Sequence, residues 1–312
     1  MHIGIIGAGM AGLACAERLA ESGHKVLLFD KGRGAGGRMS VRRTETPMGE
    51  AAFDHGAQYF TVRDPGFQAR AEAWIRAGLI APWPAAGEDA FVGTPGMNAP
   101  LREMAGRFEV HWGARVMQLA PDGAGWRVVL ENGASQAVAA VVVALPAEQA
   151  AELTASVSPD FSALAEATPT DPCWTVMAAF SERLETGIDC WRGDEASPLV
   201  WAARNSSKPG RTGPEAWVLQ ASPAWSRTHL EASAEEVIPA LLGALFDSLA
   251  ISPAHPIAQS AHRWRYARSG TQGSGALWDP RRCLGLCGDW LLGPRVEAAW
   301  LSGTRLADLV GN

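Results

Sequence analysis

Residues 2–30 read "HIGIIGAGMAGLACAERLAESGHKVLLFD", and this stretch decides the fold. "HIGII" (2–6) is a short β-prone run, and "GAGMAG" then puts glycines at 7, 9 and 12. "LACAERLAES" keeps helical spacing up to Gly23, and "KVLLFD" (25–30) is a second strand that ends in an acid. The order is strand, turn, helix, strand. Gly7 permits the tight turn, Gly9 lets backbone approach a pyrophosphate, and Gly12 lets the helix pack on the strand. The helix N-terminus at Met10 and Ala11 offers free N–H groups and a positive dipole end to phosphates. Asp30 stands eighteen residues past Gly12, where an acid accepts hydrogen bonds from ribose hydroxyls. The unit is a dinucleotide-binding βαβ element, and it predicts an α/β chain with a Rossmann-like domain.

A second glycine cluster, "KGRGAGGRM" (31–39), follows the acid directly. A plain NAD-binding unit would turn at once into its next helix. Here Lys31, Arg33, Gly37, Arg38 and Met39 lie in an extended loop instead. Glycine lets backbone come close to a ligand, and arginine meets a phosphate with a forked pair of hydrogen bonds. A second phosphate-facing segment suits a longer ligand, and FAD fits that description. The rival reading is a mobile basic loop.

With these residues the chain resembles the flavoprotein superfamily that includes the amine oxidases, which carries the same G-G-R segment after its first βαβ unit. "RCLGLCGDW" (282–290) reads as a late strand ending in Gly288 and Asp289. The resemblance implies that Asp289 lies by the ribityl and pyrophosphate part of FAD. "RVEAAWLSGTRLADLV" (295–310) reads as a helix whose first turn, Val296, Glu297 and Ala298, would face the flavin's pyrimidine edge. Val116 is a candidate for backbone contact with adenine.

Composition limits the alternatives. The chain has 312 residues, 47% hydrophobic and 19% charged, with net charge -6, so it suits about two globular domains. No run of Lys or Arg forms a track for nucleic acid. The longest apolar stretch, "AVAAVVVAL" (137–145), is about half of a bilayer span. The apolar N-terminus lacks a basic leader, so a signal peptide is not expected and the expected location is cytoplasmic. Five scattered cysteines fit free thiols in a reducing compartment, and no metal site is expected. Nothing in the sequence sets an oligomeric state.

The flavin domain is expected to use both ends of the chain, 1–62 with 108–150 and 281–312. "EVHWGARVMQLAPDGAGWRVVLENG" (109–133) alternates like a β-meander, and "AVAAVVVALP" reads as one buried parallel strand. The remainder, 63–107 with 151–280, is expected to form a smaller α+β substrate domain with a mixed sheet. Its strands are "CWTVMAAF", "LVWAAR", "AWVLQAS" and "IAQSAHRWRYA", and its main helix is 234–250. No second G-x-G-x-x-G opens a helix. The resemblance implies an amine-oxidase or p-hydroxybenzoate-hydroxylase-like topology.

"DHGAQYFTVRD" (54–64), "ARNSSKPGR" (203–211), "HRWRYA" (262–267) and "CGDWLLGPRVEAAWLSG" (287–303) narrow the resemblance to the renalase-like flavoproteins, along essentially the whole chain. That resemblance implies a non-covalent FAD and oxidation of the 2- and 6-dihydro isomers of NAD(P). Hydride would pass to flavin N5, and O2 would be the final acceptor, giving NAD(P)+ and H2O2. A dihydropyridine becomes aromatic as it gives up hydride, so no catalytic base is required, only positioning. By motif, Ala57, Gln58 and Tyr59 should lie beside the isoalloxazine. Asn205, His262, Trp264 and Tyr266 are candidates for the substrate face. Arg263 and Arg265 alternate with that set and should point away. His262 reads equally well as a structural histidine, and Trp201 and Trp264 as core.

Two other functions compete. One is a flavin amine oxidase, against which stands the scarcity of lysine: Lys25 and Lys31 belong to the first unit, leaving only Lys208, in a Pro/Gly loop. The other is a flavin-binding redox sensor without turnover.

Overall fold

The computed structural model describes residues 1–311. A six-stranded sheet is centred on the N-terminal strand. Its order is Leu277–Asp279, Leu284–Leu286, Ala140–Val143, His2–Ile6, Lys25–Asp30 and Glu109–Trp112. All neighbours are parallel except the first pair. Strands from both ends of the chain thus join one sheet, with Ala140–Val143 between His2–Ile6 and Leu284–Leu286. Helix Met10–Glu21 packs against helix Val296–Gly311 over this sheet.

Two strand readings need correction. Glu109–Trp112 is no part of the meander. It pairs in parallel with Lys25–Asp30, with Leu27 opposite Glu109. The run 137–145 is also not one strand. Ser135–Val138 closes the antiparallel meander formed with Val116–Asp122 and Gly125–Leu130. After Ala139, Ala140–Val143 enters the parallel sheet beside His2–Ile6. The two strands are apolar for different reasons, so the sequence runs through the junction without a mark.

The second sheet has the order Cys190–Arg192, Leu199–Arg204, Glu215–Ala221, Thr170–Phe180 and Ala258–Ser269. Every pairing is antiparallel, where a mixed sheet was expected. Strand Thr170–Phe180 is buried on both faces, and its side chains divide with period two. Trp174, Val176, Ala178 and Phe180 meet Leu241 and Leu245 of helix Ala234–Leu249. Met177 and Ala179 meet Ala51 and Phe53 on the other side. The helix starts in a capping box between Ser233 and Glu236.

Segment 63–107 was grouped with this second sheet. Its apolar side chains Phe67, Trp74, Leu101 and Met104 lie in the same core as Leu13 and Leu19 of the first helix. That core also takes in Trp201 and Ala203 of the second sheet, so the two halves share a continuous interior. Among the described residues no helix is long and apolar enough to cross a membrane, and no His/Cys/Asp/Glu group could hold a metal ion.

Candidate functional site

The two glycine clusters meet at Asp30. One carboxylate oxygen accepts from the Ala8 N–H and the other from the Gly32 N–H, both at 2.7 Å. Gly7 adopts φ 104°, and a Cβ there would lie 2.5 Å from the Ala144 carbonyl. Helix Met10–Glu21 begins at Gly9 with no side-chain cap, although Met10, Ala11 and Gly12 are buried. A Cβ on Gly9 would meet nothing within 4 Å, so the open space lies where the helix presents its N-terminal N–H groups. A Cβ on Gly37, at φ 51°, would lie 3.6 Å from Gly9 Cα. The second cluster therefore folds back onto the first, and together they line one cradle.

Other candidates surround it. Arg38 donates to the Asp289 carboxylate at 2.6 Å and to the Ala267 carbonyl at 3.3 Å, tying the loop to the last strand. Ala57 N–H bonds the Arg38 carbonyl at 2.8 Å, which lays segment 55–58 on the cradle. Met39 is buried, while Lys31 and Arg33 are exposed beside it. Val116 opens its strand just past Ala114, whose N–H donates to the Asp30 carbonyl at 2.9 Å. Gly288 N–H bonds the Ser302 hydroxyl at 2.9 Å, so strand end and terminal helix are fixed together. Val296 and Ala298 stand on the first turn of that helix. An uncapped helix N-terminus and an open glycine face fit a flavin dinucleotide.

Three candidates have side chains engaged inside the protein. Glu297, 3% exposed, accepts the N–H groups of Arg63 and Asp64 at 2.7 Å each. Only its backbone remains available to a cofactor. Asn205 does not reach a substrate face: it is fully buried, accepts from Asp54 N–H and donates to the Ala52 carbonyl at 2.7 Å. Its amide replaces a strand partner for chain that would otherwise carry unpaired backbone groups. The Gln58 amide turns inward as well, donating to the carbonyls of Asp54 and Gly56 and accepting from Lys208 at 3.2 Å.

The remaining candidates form two groups of rings. Tyr59 stacks on Trp201 with centroids 5.6 Å apart. His262 stands edge-on to Trp264 at 4.4 Å and to His55 at 5.0 Å. The Trp264 indole donates to the His55 carbonyl at 2.8 Å. Tyr266 is half-buried on the same strand. Arg263 and Arg265 point away as expected and share Glu231.

The sequence reading missed His55, Arg192 and a buried ionic cluster. Asp54 accepts from the Lys208 ammonium at 3.1 Å, from Arg211, and from Met97 N–H at 3.0 Å. All three charged side chains are at most 2% exposed. Lys208 lies in the expected loop, yet its ammonium stands 5.2 Å from the Trp83 ring and is wholly inside. Burial pushes its pKa down to about 8 against the pull of Asp54. Burial alone would raise the Asp54 carboxyl, but Lys208 and Arg211 hold it below the ordinary value. The two partners shift in ways that oppose each other because one carboxylate serves two cations.

Burial, with His262 and Arg42 nearby, lowers the His55 imidazole to about 4. As pH falls from 6.5 to about 4, the unfolded chain binds a proton that folded His55 refuses, so stability is lost across that window. The loss is roughly 3 kcal/mol at most. Thermal midpoints measured over this range should fall more steeply for the natural protein than for His55→Gln, and parallel curves would contradict the assignment.

Residues 5–74 match an NAD(P)-binding Rossmann-like domain. The 4,4'-diapophytoene desaturase of Staphylococcus haemolyticus is 55% identical over 40 residues, which is 13% of this chain and only 8% of the desaturase. The putrescine oxidase structure bound to putrescine superposes with a TM-score of 0.77 over 100% of both chains at 13% identity. Cyclohexylamine oxidase from Brevibacterium oxydans IH-35A gives 0.71 over 99% of this chain and 98% of its own at 14% identity. Those structural likenesses concern the fold alone. Residues 76–311 match the flavin containing amine oxidoreductases, and the chain belongs to that family.

Proposed function

We propose that the protein is an FAD-dependent oxidase of the 2- and 6-dihydro isomers of NAD(P), with its flavin held non-covalently. The observation that carries the reading is the make-up of the candidate substrate face. It is built of rings, Tyr59 on Trp201 and His262 against Trp264, and its one nearby lysine is spent on Asp54 and Gln58. Rings suit a flat dihydropyridine. A substrate that becomes aromatic on losing hydride asks the protein for placement, not for proton abstraction. FAD, when bound, supplies the hydride acceptor and the route of the electrons to O2. The residues of this chain that would hold it are Met10–Gly12 and Arg38 at the phosphates, Asp30 at the ribose, and Ala57 and Tyr59 beside the ring system.

A second reading, oxidation of a small amine, is favoured by the family itself. Paired aromatic faces can enclose an ammonium group as well as a pyridine. Anaerobic mixing of the holoprotein with borohydride-reduced NAD+ separates the two. That mixture contains the 2-, 4- and 6-dihydro isomers. It should bleach the flavin quickly, pure 4-dihydro NADH should not, and air should restore the colour with release of H2O2. Bleaching by an amine but not by the mixture overturns the proposal in favour of the second reading.

A further inference from the structure

We infer that Arg192, lying on Trp201 and Tyr59, is the anion-binding end of the substrate site and takes a phosphate of the dinucleotide. This inference rests on the function just proposed. The Arg192 guanidinium lies 4.5 Å from the Trp201 ring centroid and 5.3 Å from that of Tyr59. One of its terminal nitrogens donates to the Tyr59 hydroxyl at 3.0 Å and to the Ala86 carbonyl at 2.9 Å. Those four contacts fix the plane of an exposed side chain. Many arginines of this chain face a carboxylate within 4.0 Å, Arg38, Arg70, Arg204 and Arg211 among them, but among the described residues no such ion pair includes Arg192. Its other terminal nitrogen and its Nε therefore keep their donors for a ligand. A guanidinium held flat against two rings, with no carboxylate facing it among the described residues, is pre-organised for a forked bond to a phosphate.

A second group points to a ligand at the same place. The Trp201 indole is 6% exposed, and its buried Nε1–H has no hydrogen-bond partner among the described residues. Buried indole N–H groups nearly always have one. Tyr59 follows Gln58 in the segment laid on the flavin cradle, so its ring joins the flavin side of the site to Arg192. A nicotinamide ring placed along Tyr59 carries its ribose and phosphate outward, toward the guanidinium. The ligand chemistry is that of a pyridine nucleotide phosphate, and a neutral or cationic amine gains nothing from Arg192.

The test titrates the holoprotein with NAD+, nicotinamide mononucleotide and nicotinamide riboside, followed by the flavin spectrum. The three share a pyridinium ring and carry a pyrophosphate, a phosphate and neither. Arg192→Gln should weaken NAD+ and mononucleotide binding about ten-fold, as for one lost charge-assisted bond, and leave the riboside unchanged. Arg192→Lys should recover part of the loss, because it keeps the charge without the fork. Trp201→Phe keeps an aromatic face for Arg192 but removes the N–H together with the five-membered ring, so it should weaken all three ligands alike, and less than Arg192→Gln weakens NAD+. In turnover, Arg192→Gln should raise KM and spare kcat, as for binding shared by ground and transition states. NAD+ binding in Arg192→Gln equal to that of the natural protein overturns the subsite and leaves the proposed function standing. If the natural holoprotein binds none of the three ligands, both fall.

Discussion

Replacing Asp54 with asparagine is expected to cost the folded protein about 3–5 kcal/mol, the range for removing one partner of a buried ion pair. The substitution is nearly isosteric, so packing is not the cause. It deletes the one anion that faces Lys208 and Arg211, both buried to within 2% of completely. Lysine can respond by shedding its proton; arginine cannot. The natural protein is already strained in this sense, since folded Lys208 titrates at about 8 against 10.5 for free lysine. Between those values the unfolded chain holds the proton more tightly, so stability rises with pH from about 8 to 10.5. Asp54 works at the other end: its contribution is complete above the ordinary 3.8 and is lost as pH falls through its lower folded value. In Asp54→Asn the alkaline rise should begin at lower pH, because Lys208 loses its proton more readily. Urea midpoints across the alkaline range report both effects. Asp54→Asn combined with Lys208→Met should be about 1–2 kcal/mol more stable than Asp54→Asn alone, because it removes an unpaired charge. A loss of less than about 1 kcal/mol in Asp54→Asn would show that the cluster is solvated in the native state.

This cluster marks where the sequence stops being legible. The tight turn at Gly7 and the close packing at Gly12 could be read because both follow from spacing within one βαβ unit, and the fold shows both. Four of the five strands in the second sheet, all but the three-residue Cys190–Arg192, were equally plain as β-prone runs. Their direction was not, since alternation is the same for either polarity. Gln58, Asn205 and Glu297 were read as facing ligands because a polar residue in a motif looks identical whether it meets a ligand or a backbone group. What decided the matter was distant chain: Ala52 for Asn205, Arg63 and Asp64 for Glu297. Lys208 was conspicuous as the only lysine beyond the first unit, yet its burial depends on Asp54, which no spacing rule connects to it. Tyr59 stood out by the rarity of tyrosine. Arg192, one of 24 arginines (27 Lys+Arg less three lysines), had nothing local to set it apart.

Gly303 shows the same limit and allows the last prediction. It lies on helix Val296–Gly311 where that helix crosses Met10–Glu21, and a Cβ there would press on the Ala11 carbonyl and come within 3.0 Å of Cys15 N. The opposing atoms are helix backbone, which cannot swing aside as a side chain can. Nor can the first helix retreat, because a Cβ on Gly12 would already collide with the Gly7 carbonyl, so that side is packed backbone to backbone too. Gly303→Ala must therefore drive the two helices apart, and Ala11 belongs to the turn proposed to hold the pyrophosphate. The expected result is a loss of about 3 kcal/mol, at the upper end for overpacking, with most of the flavin lost on gel filtration. Gly243→Ala is the control. It also sits inside a helix, Ala234–Leu249, but is exposed, and an added Cβ meets nothing within 4 Å. There alanine only lowers the entropy of the unfolded chain and improves helix propensity, so stability should rise by about 0.4–1 kcal/mol. Opposite signs from the same chemical change would tie the cost at Gly303 to the helix crossing. A Gly303→Ala protein that keeps its flavin and its thermal midpoint would mean that the crossing can open without disturbing the cradle.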